Sequence, residues 1–87
     1  MALYKLVIKK QVRKKDLPKI PTKTRLKIVE TIGDLRHNPR PKTASKLTNR
    51  PEYRLRQSNW RILYVIDEQE KLVEVLQVKH RGEAYKR

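Results

Sequence analysis

Six side chains in the second half of this 87-residue chain have the types and spacing needed to act on a phosphodiester. The planar fork of arginine can hold two phosphate oxygens at once, whereas the ammonium group of lysine acts as a point charge. Imidazole exchanges a proton near neutral pH, and a tyrosine ring can stack on a base or orient a ribose hydroxyl. The candidate catalytic residues are Arg54, Arg56, Arg61, His80, Arg81 and Tyr85.

The relative placement of three of these arginines depends on the register of one predicted hairpin. Arg54 and Arg56 alternate along a strand, so both project from the same face. A four-residue loop over 57–60 pairs Arg56 with Arg61 and brings all three arginines to that face. A three-residue loop instead pairs Arg56 with Trp60 and turns Arg61 away. The sequence leaves both registers open, and a plainer interpretation, in which the arginines only cover apolar neighbours, also remains.

The net charge indicates a polyanionic partner. Lys and Arg number 23 against 9 Asp and Glu, which gives a formal charge of +14. RNA or DNA is the expected partner of so basic a small domain, and lysines that merely keep the protein soluble are the plain alternative. Acidic residues concentrate between positions 67 and 74, so the far end of the molecule should be comparatively acidic. The candidate RNA or ribosome contacts are Lys9, Lys10, Arg13, Lys42, Lys46, Arg50 and Lys79.

Several classes of function are disfavoured by what the sequence lacks. There is no Cys, so disulfides, thiolate metal sites and cysteine nucleophiles are absent, in agreement with a reducing cytosol. The two histidines are far apart and the carboxylates show no metal-ligand spacing, so we expect no metal and no cofactor. The apolar start of the chain stops at Lys9-Lys10, well below the ~18 residues of a membrane span. We therefore expect neither a signal peptide nor a membrane partner.

The first half of the chain predicts one strand and one or two helices. Residues 2–8 carry apolar side chains on both faces, which favours a strand in the interior of a sheet. Residues 9–19 are strongly basic and Pro18 limits any helix there, so only a short first helix is expected. A second helix begins at Pro21 and stops at Asn38-Pro39. Its apolar residues recur at helical spacing: Leu26, Ile28, Val29, Ile32 and Leu35.

The second half predicts a surface loop followed by three strands. Residues 40–51 contain two prolines and no apolar periodicity, which is typical of a loop. The strands cover 53–57, 60–66 and 72–79, and they are joined by one tight turn and one acidic turn. They form an antiparallel meander that completes one sheet with the N-terminal strand. This order predicts a small α+β domain whose helices pack on one face of the sheet.

Four motifs follow one another in the second half of the chain. They are Lys46-Leu47, Tyr53-Arg54-Leu55-Arg56, Trp60-Arg61-Ile62-Leu63-Tyr64 and His80-Arg81-Gly82-Glu83-Ala84-Tyr85. In order and spacing they resemble the RelE family of bacterial and archaeal toxins, and the likeness extends over nearly the whole chain. The resemblance implies a single RelE-like toxin domain over residues 1–87, which cleaves messenger RNA in the ribosomal decoding site without a metal ion.

The resemblance also implies roles for the candidate residues. The basic positions of the family and its terminal tyrosine fall on Arg54, Arg56, Arg61, Arg81 and Tyr85. Arg61 and Arg81 would grip the phosphate oxygens, and His80 would exchange protons with the RNA. Several relatives carry lysines where this chain has Arg54 and Arg56. If those relatives need a lysine as base, this chain must use another group.

The resemblance further implies partners, and two competing functions stay open beside it. A RelB-like antitoxin would hold the toxin inactive, and the toxin would be monomeric alone and join a cytoplasmic toxin–antitoxin hetero-oligomer. Messenger RNA and the ribosome would be its targets. The first competing function is a ParE-like inhibitor of DNA gyrase without nuclease activity. The second is an RNA-binding protein without turnover.

Overall fold

A five-stranded sheet forms the centre of the molecule. The structure, a computed structural model, describes residues 3–84. Its strands are β1 (Lys5–Ile8), β2 (Ala44–Lys46), β3 (Tyr53–Gln57), β4 (Trp60–Asp67) and β5 (Leu72–His80). They lie in the order β1-β5-β4-β3-β2, in which β1 and β5 are parallel and the other neighbours antiparallel. The helical elements are a π-helical turn (Val12–Asp16), a 3-10 turn (Leu17–Lys19), α1 (Thr22–Asp34) and α2 (Arg81–Ala84).

The predicted α+β fold and the three-stranded meander are confirmed. β3 has the predicted bounds, and β4 and β5 each extend one residue beyond them. The prediction of a loop over 40–51 missed β2, which pairs with β3 at the edge of the sheet. A strand of three residues with one neighbour and no apolar alternation leaves no pattern in a sequence.

The position of β1 differs from the prediction. Among the described strands β1 pairs with β5 alone, so it is an edge strand and the prediction of an interior strand is wrong. Leu6 and Ile8 pack against the core, whereas Leu3 and Val7 are 49% and 42% exposed. Apolar residues on both faces suggested burial of both faces, but only one of them is covered.

The helices pack on one face of the sheet, as the sequence predicts. The basic segment after β1 forms a short helical stretch of mixed π and 3-10 geometry, and α1 confirms the predicted second helix. α1 contributes Ile28 and Ile32 to the core, Leu35 joins them directly after the helix, and Leu26 and Val29 stay exposed. The rest of the core comes from Val12, Ile20, Leu55, Ile62, Tyr64, Val73, Val75 and Val78. In residues 3–84 no helix is long and apolar enough to cross a membrane.

Glu68, in the turn between β4 and β5, ties three parts of the chain together. Its Oε1 accepts hydrogen bonds from the Tyr4 hydroxyl at 2.8 Å and from Lys71 Nζ at 3.1 Å, and its Oε2 pairs with Arg40. The hydrogen bonds from Tyr4, Arg40 and Lys71 lower the pKa of Glu68 to about 2. The positive charges of Arg40 and Lys71 therefore neutralise part of the negative charge at the acidic end that the sequence predicts.

We expect Glu68→Gln to remove a pH-dependent part of the stability. The folded pKa lies below the ordinary value of 4.5, so the carboxylate stabilises the fold above that pH. This stabilisation is lost as the pH falls towards about 2, and the urea midpoint of the wild type should fall over the same range. Urea unfolding at a series of pH values should show a shallower fall for Glu68→Gln than for Glu70→Gln, the matched control in the same turn. Equal slopes for the two variants would contradict the prediction.

Candidate functional site

The β3–β4 hairpin fixes the relative positions of three candidate arginines. Arg56 pairs directly with Arg61 and Gln57 with Trp60, so the register is the one that brings the arginines together, and the turn itself is only Ser58-Asn59. Ser58 has a φ of 58°, the left-handed conformation that tight hairpin turns require. Directly opposed residues share a face of a sheet, and so do residues two apart on one strand. Arg54, Arg56 and Arg61 therefore lie together on the face opposite the helices.

A pocket of about 150 Å³ opens at the turn end of this hairpin. Arg56 and Arg61 reach it from the two strands, and Arg81 reaches it from the start of α2. The backbone N–H of Arg81 donates to the Asn59 carbonyl at 2.8 Å, which holds the end of β5 against the hairpin turn. We call this the arginine pocket, and its lining residues are Arg56, Ser58, Asn59, Trp60, Arg61 and Arg81.

A second pocket, of about 180 Å³, lies on the open face of the sheet. Arg61 lines both pockets and therefore joins them. Lys79 is the residue opposite Arg61 on β5, and it also lines this second pocket. We call it the sheet-face pocket, and its lining residues are Leu47, Arg54, Arg61, Leu63, Gln77 and Lys79. Among the described residues no acid lines either pocket, so both suit an anion.

His80 lies at the end of β5 on the helix-bearing face of the sheet. Its partner across the sheet is Trp60, and the two rings pack edge to face with centroids 5.2 Å apart. His80 Nδ1 accepts a hydrogen bond from the Gly82 N–H at 3.3 Å, which leaves Nε2 as the nitrogen available to a substrate. His80 is exposed and stands beside the arginine pocket, whose lining includes Trp60 but not the imidazole itself.

The candidate contact residues divide between the two ends of the sheet. Those at the end that carries the arginine pocket are Lys9, Lys10, Arg13 and Lys42. Lys46 lies at the other end, opposite Tyr53. Arg50 also lies there and pairs with Glu52 at 3.1 Å, and this contact lowers the pKa of Glu52. Lys79, opposite Arg61 on β5, lies at the pocket end too, so five of the seven candidate contact residues gather there.

Two residues complete the comparison with the sequence-based prediction. Tyr85 lies outside the described residues, so its part in the site stays a prediction. Asp16 was missed: it is 2% exposed, and its carboxylate contacts Lys79. The signal was available, because Asp16 is the one acid among six basic residues in 9–19 and follows the apolar Val12 by one helical turn.

A family model and several solved structures match the chain. The family is described as the ParE toxin of the type II toxin-antitoxin system, parDE, and its model matches residues 7–85. The match includes every described residue of the two pockets. No curated protein sequence matches the chain.

Solved structures of toxin–antitoxin complexes are among those that match the chain. A chain of the complex RelBE2 from Mycobacterium tuberculosis is 29% identical, with a TM-score of 0.78 over 91% of this chain and 99% of that chain. A chain of the archaeal RelE-RelB complex from Pyrococcus horikoshii is 28% identical, with a TM-score of 0.82 over 92% of this chain and 97% of that chain. A chain of the RelB-RelE antitoxin-toxin complex from Methanococcus jannaschii has the same fold at 23% identity, with a TM-score of 0.72 over 91% of this chain and 94% of that chain. The predicted RelE-like fold is thereby confirmed.

Proposed function

Because the chain belongs to the ParE toxin family of type II toxin–antitoxin systems, with the fold of RelE toxins, we propose that it is an endoribonuclease that cleaves messenger RNA on the ribosome. The observation that carries the proposal is the convergence of Arg56, Arg61 and Arg81 on one pocket. Three guanidiniums, with no acid among the described lining residues, suit a phosphodiester that gains negative charge as it reacts. An inhibitor of DNA gyrase that acts by binding alone has no need of such a pocket.

The proposed reaction uses no metal ion. The ribose 2′-oxygen gives up its proton and bonds to the adjacent phosphorus, the bond from phosphorus to the 5′-oxygen breaks, and that oxygen takes up a proton. The products are a 2′,3′-cyclic phosphate and a 5′-hydroxyl. Arg61 and Arg81 hold the non-bridging oxygens, Arg56 keeps the phosphate in line, and Arg54 holds the flanking backbone. Tyr85 is proposed to stack on a base or to orient the 2′-hydroxyl.

Dependence on the ribosome follows from the chemistry of the cations. Guanidinium groups stay protonated at neutral pH, so they stabilise charge but remove no proton. Such a site has a weak intrinsic rate, and it gains most from a ribosome that holds the 2′-oxygen and the phosphorus in line. Lys9, Lys10, Arg13 and Lys42, at the pocket end of the sheet, are the proposed contacts to ribosomal RNA.

His80 is the proposed proton-transfer group, and its geometry allows a defined prediction. Because Nδ1 accepts the Gly82 N–H and the ring packs on Trp60, a proton passes between His80 and the RNA through Nε2. We expect His80→Gln to lower the cleavage rate about 10- to 100-fold and to flatten its dependence on pH around neutrality. Rates on ribosomes that carry a defined message test this, with His37→Gln as the matched control. A lower rate with an unchanged pH profile would assign His80 to the packing of the strand end.

A RelB-like antitoxin is the proposed partner. Solved neighbours of the chain are parts of toxin–antitoxin complexes, and a charge of +14 favours a segment with acidic and apolar residues. A segment that covered the two pockets would neutralise the cations and block RNA at the same time. We propose that the toxin alone is a monomer in the cytosol and that it joins a hetero-oligomer with its antitoxin.

Mapping of 5′ ends in cellular messenger RNA after induced expression tests the proposed activity. The reaction leaves 5′-hydroxyl ends, so the new ends should be captured only after phosphorylation and should be phased to codons. They should disappear with Arg81→Ala and persist with Arg25→Ala, which removes the same charge from α1.

Two outcomes would overturn the proposed activity. Growth arrest with intact messages and altered DNA supercoiling would favour inhibition of gyrase. Binding to RNA with neither cleavage nor altered supercoiling would favour an RNA-binding protein without turnover.

A further inference from the structure

Asp16 is almost completely buried, although it lies in the most basic segment of the chain. It is 2% exposed, whereas its neighbours Arg13, Lys14 and Lys15 are exposed. Burial of a carboxylate is costly unless its oxygens have donors. Asp16 Oδ2 accepts the Val78 N–H at 3.0 Å, and Oδ1 accepts Lys79 Nζ at 3.0 Å. Both oxygens are therefore used, and both donors belong to the end of β5.

The contact with Val78 explains why a hydrogen-bond acceptor is needed at this point. The pairing of β1 with β5 ends at Ile8, which lies opposite Val75. Beyond that pair no described strand covers this edge of β5, and a buried backbone N–H without an acceptor would be costly. Asp16, at the end of the π-helical turn, supplies the acceptor in place of a strand. It thereby fixes the position of the last residues of β5.

The contact with Lys79 bears on the sheet-face pocket. Lys79 lies directly opposite Arg61, and both line this pocket with Arg54. Like charges opposite one another on a sheet repel, so a free Lys79 ammonium would turn away from Arg61. The carboxylate of Asp16 holds it in place, with 26% of the lysine side chain exposed. An ammonium has three hydrogens, so one donated to Asp16 leaves two for an incoming anion.

We propose that Asp16 is a positioning residue, which holds the Lys79 ammonium beside Arg61 and Arg54 so that the three cations form a second phosphate site. The site takes the backbone phosphate next to the one that is cleaved. Apolar walls from Leu47 and Leu63 accompany the cations, which suits a nucleotide better than a small free anion. This inference rests on the proposed function, because it assumes that RNA is bound at Arg61.

A positioning role and simple electrostatics predict opposite effects on RNA affinity when the Asp16 charge is removed. Asp16→Asn raises the net charge by one, so electrostatics alone predicts tighter binding to RNA. A positioning role predicts the reverse, because the ammonium is released. We expect the affinity to fall about five- to tenfold. The slope of log affinity against log salt should fall by about 0.7, the equivalent of one phosphate contact on a single strand.

The experiment measures binding to a short single-stranded RNA with 2′-O-methyl groups, which cannot be cleaved by 2′-oxygen attack. Asp34→Asn, an exposed site on α1, is the matched control and should bind as tightly as the wild type or slightly more tightly. Lys79→Gln should reproduce the loss of affinity and slope. Asp16→Asn should add nothing in the Lys79→Gln background, because Asp16 acts through Lys79.

The outcomes separate this inference from the proposed function. A folded Asp16→Asn variant with wild-type or tighter binding would overturn the positioning role, provided that Arg61→Ala weakens binding in the same assay. If Arg61→Ala leaves both affinity and slope unchanged, the phosphate site itself is wrong and the proposed function fails with it. Circular dichroism establishes folding. If Asp16→Asn does not fold, Lys79→Gln takes its place, and a folded Lys79→Gln variant with wild-type affinity and slope would overturn the inference.

Discussion

Replacing Arg61 with alanine is expected to lower the rate of messenger RNA cleavage by about 100- to 1000-fold, the largest loss for any arginine of the site. Arg61 lines both pockets, whereas Arg56 and Arg81 line one and Arg54 lines the other. It is also the most enclosed of the candidates that the structure describes, with 9% of the residue exposed. A guanidinium that is held in place before RNA arrives loses little freedom on binding, and its charge is less screened by water.

Single-turnover cleavage on ribosomes that carry a defined message measures this loss. Arg61→Lys keeps the charge without the planar fork, so it should recover only part of the activity. Arg25→Ala removes one positive charge from α1 and should stay close to the wild type. Full activity in Arg61→Lys would show that only the charge matters at this position. A loss in Arg61→Ala no greater than that in Arg54→Ala would remove Arg61 from the centre of the site.

Much of the fold could be predicted because its strands are long and separated by clear turns. β3, β4 and β5 alternate over five to nine residues and carry the core residues Leu55, Ile62 and Val78. β2 and the edge position of β1 could not be predicted, for different reasons. β2 is too short to show a pattern, and Val7 is apolar but exposed, so apolar character did not report burial.

The residues of the site could be predicted from their types, but their positions relative to one another could be predicted only in part. The arginines were recognised by their spacing, but their convergence depended on the hairpin register, which the pairing of Arg56 with Arg61 decides. The partner of Lys79 could not be predicted, because Asp16 lies 63 residues away along the chain. Contacts of this kind arise from packing, and no local pattern encodes them. His80 shows the same limit, since its ring orientation depends on Trp60 and Gly82.

The largest loss of stability is expected from Tyr64→Ala, at about 3–5 kcal/mol in the free energy of unfolding. Tyr64 is fully buried, and its hydroxyl donates to the Pro39 carbonyl at 2.7 Å. Its ring stacks on Tyr53 with centroids 5.6 Å apart and an interplanar angle of 19°. Burial raises the pKa of Tyr64 to about 12, in keeping with a hydroxyl held away from water. Alanine removes the ring, the stack and the hydrogen bond together.

Two further variants separate the contribution of the hydrogen bond from that of the ring. Tyr64→Phe keeps the ring and leaves the Pro39 carbonyl without its donor, so we expect a cost of about 1–2 kcal/mol in urea unfolding. Leu26→Ala, at a residue that is 65% exposed on α1, should change the stability by less than about 0.5 kcal/mol. A cost for Tyr64→Phe as large as that for Tyr64→Ala would mean that the hydrogen bond, and not the ring, anchors this region.

Because Pro39 follows α1 and Tyr64 belongs to the central strand β4, this contact joins the helical layer to the sheet that carries the arginines. Its loss should therefore lower the amount of folded toxin before it changes the chemistry of the site.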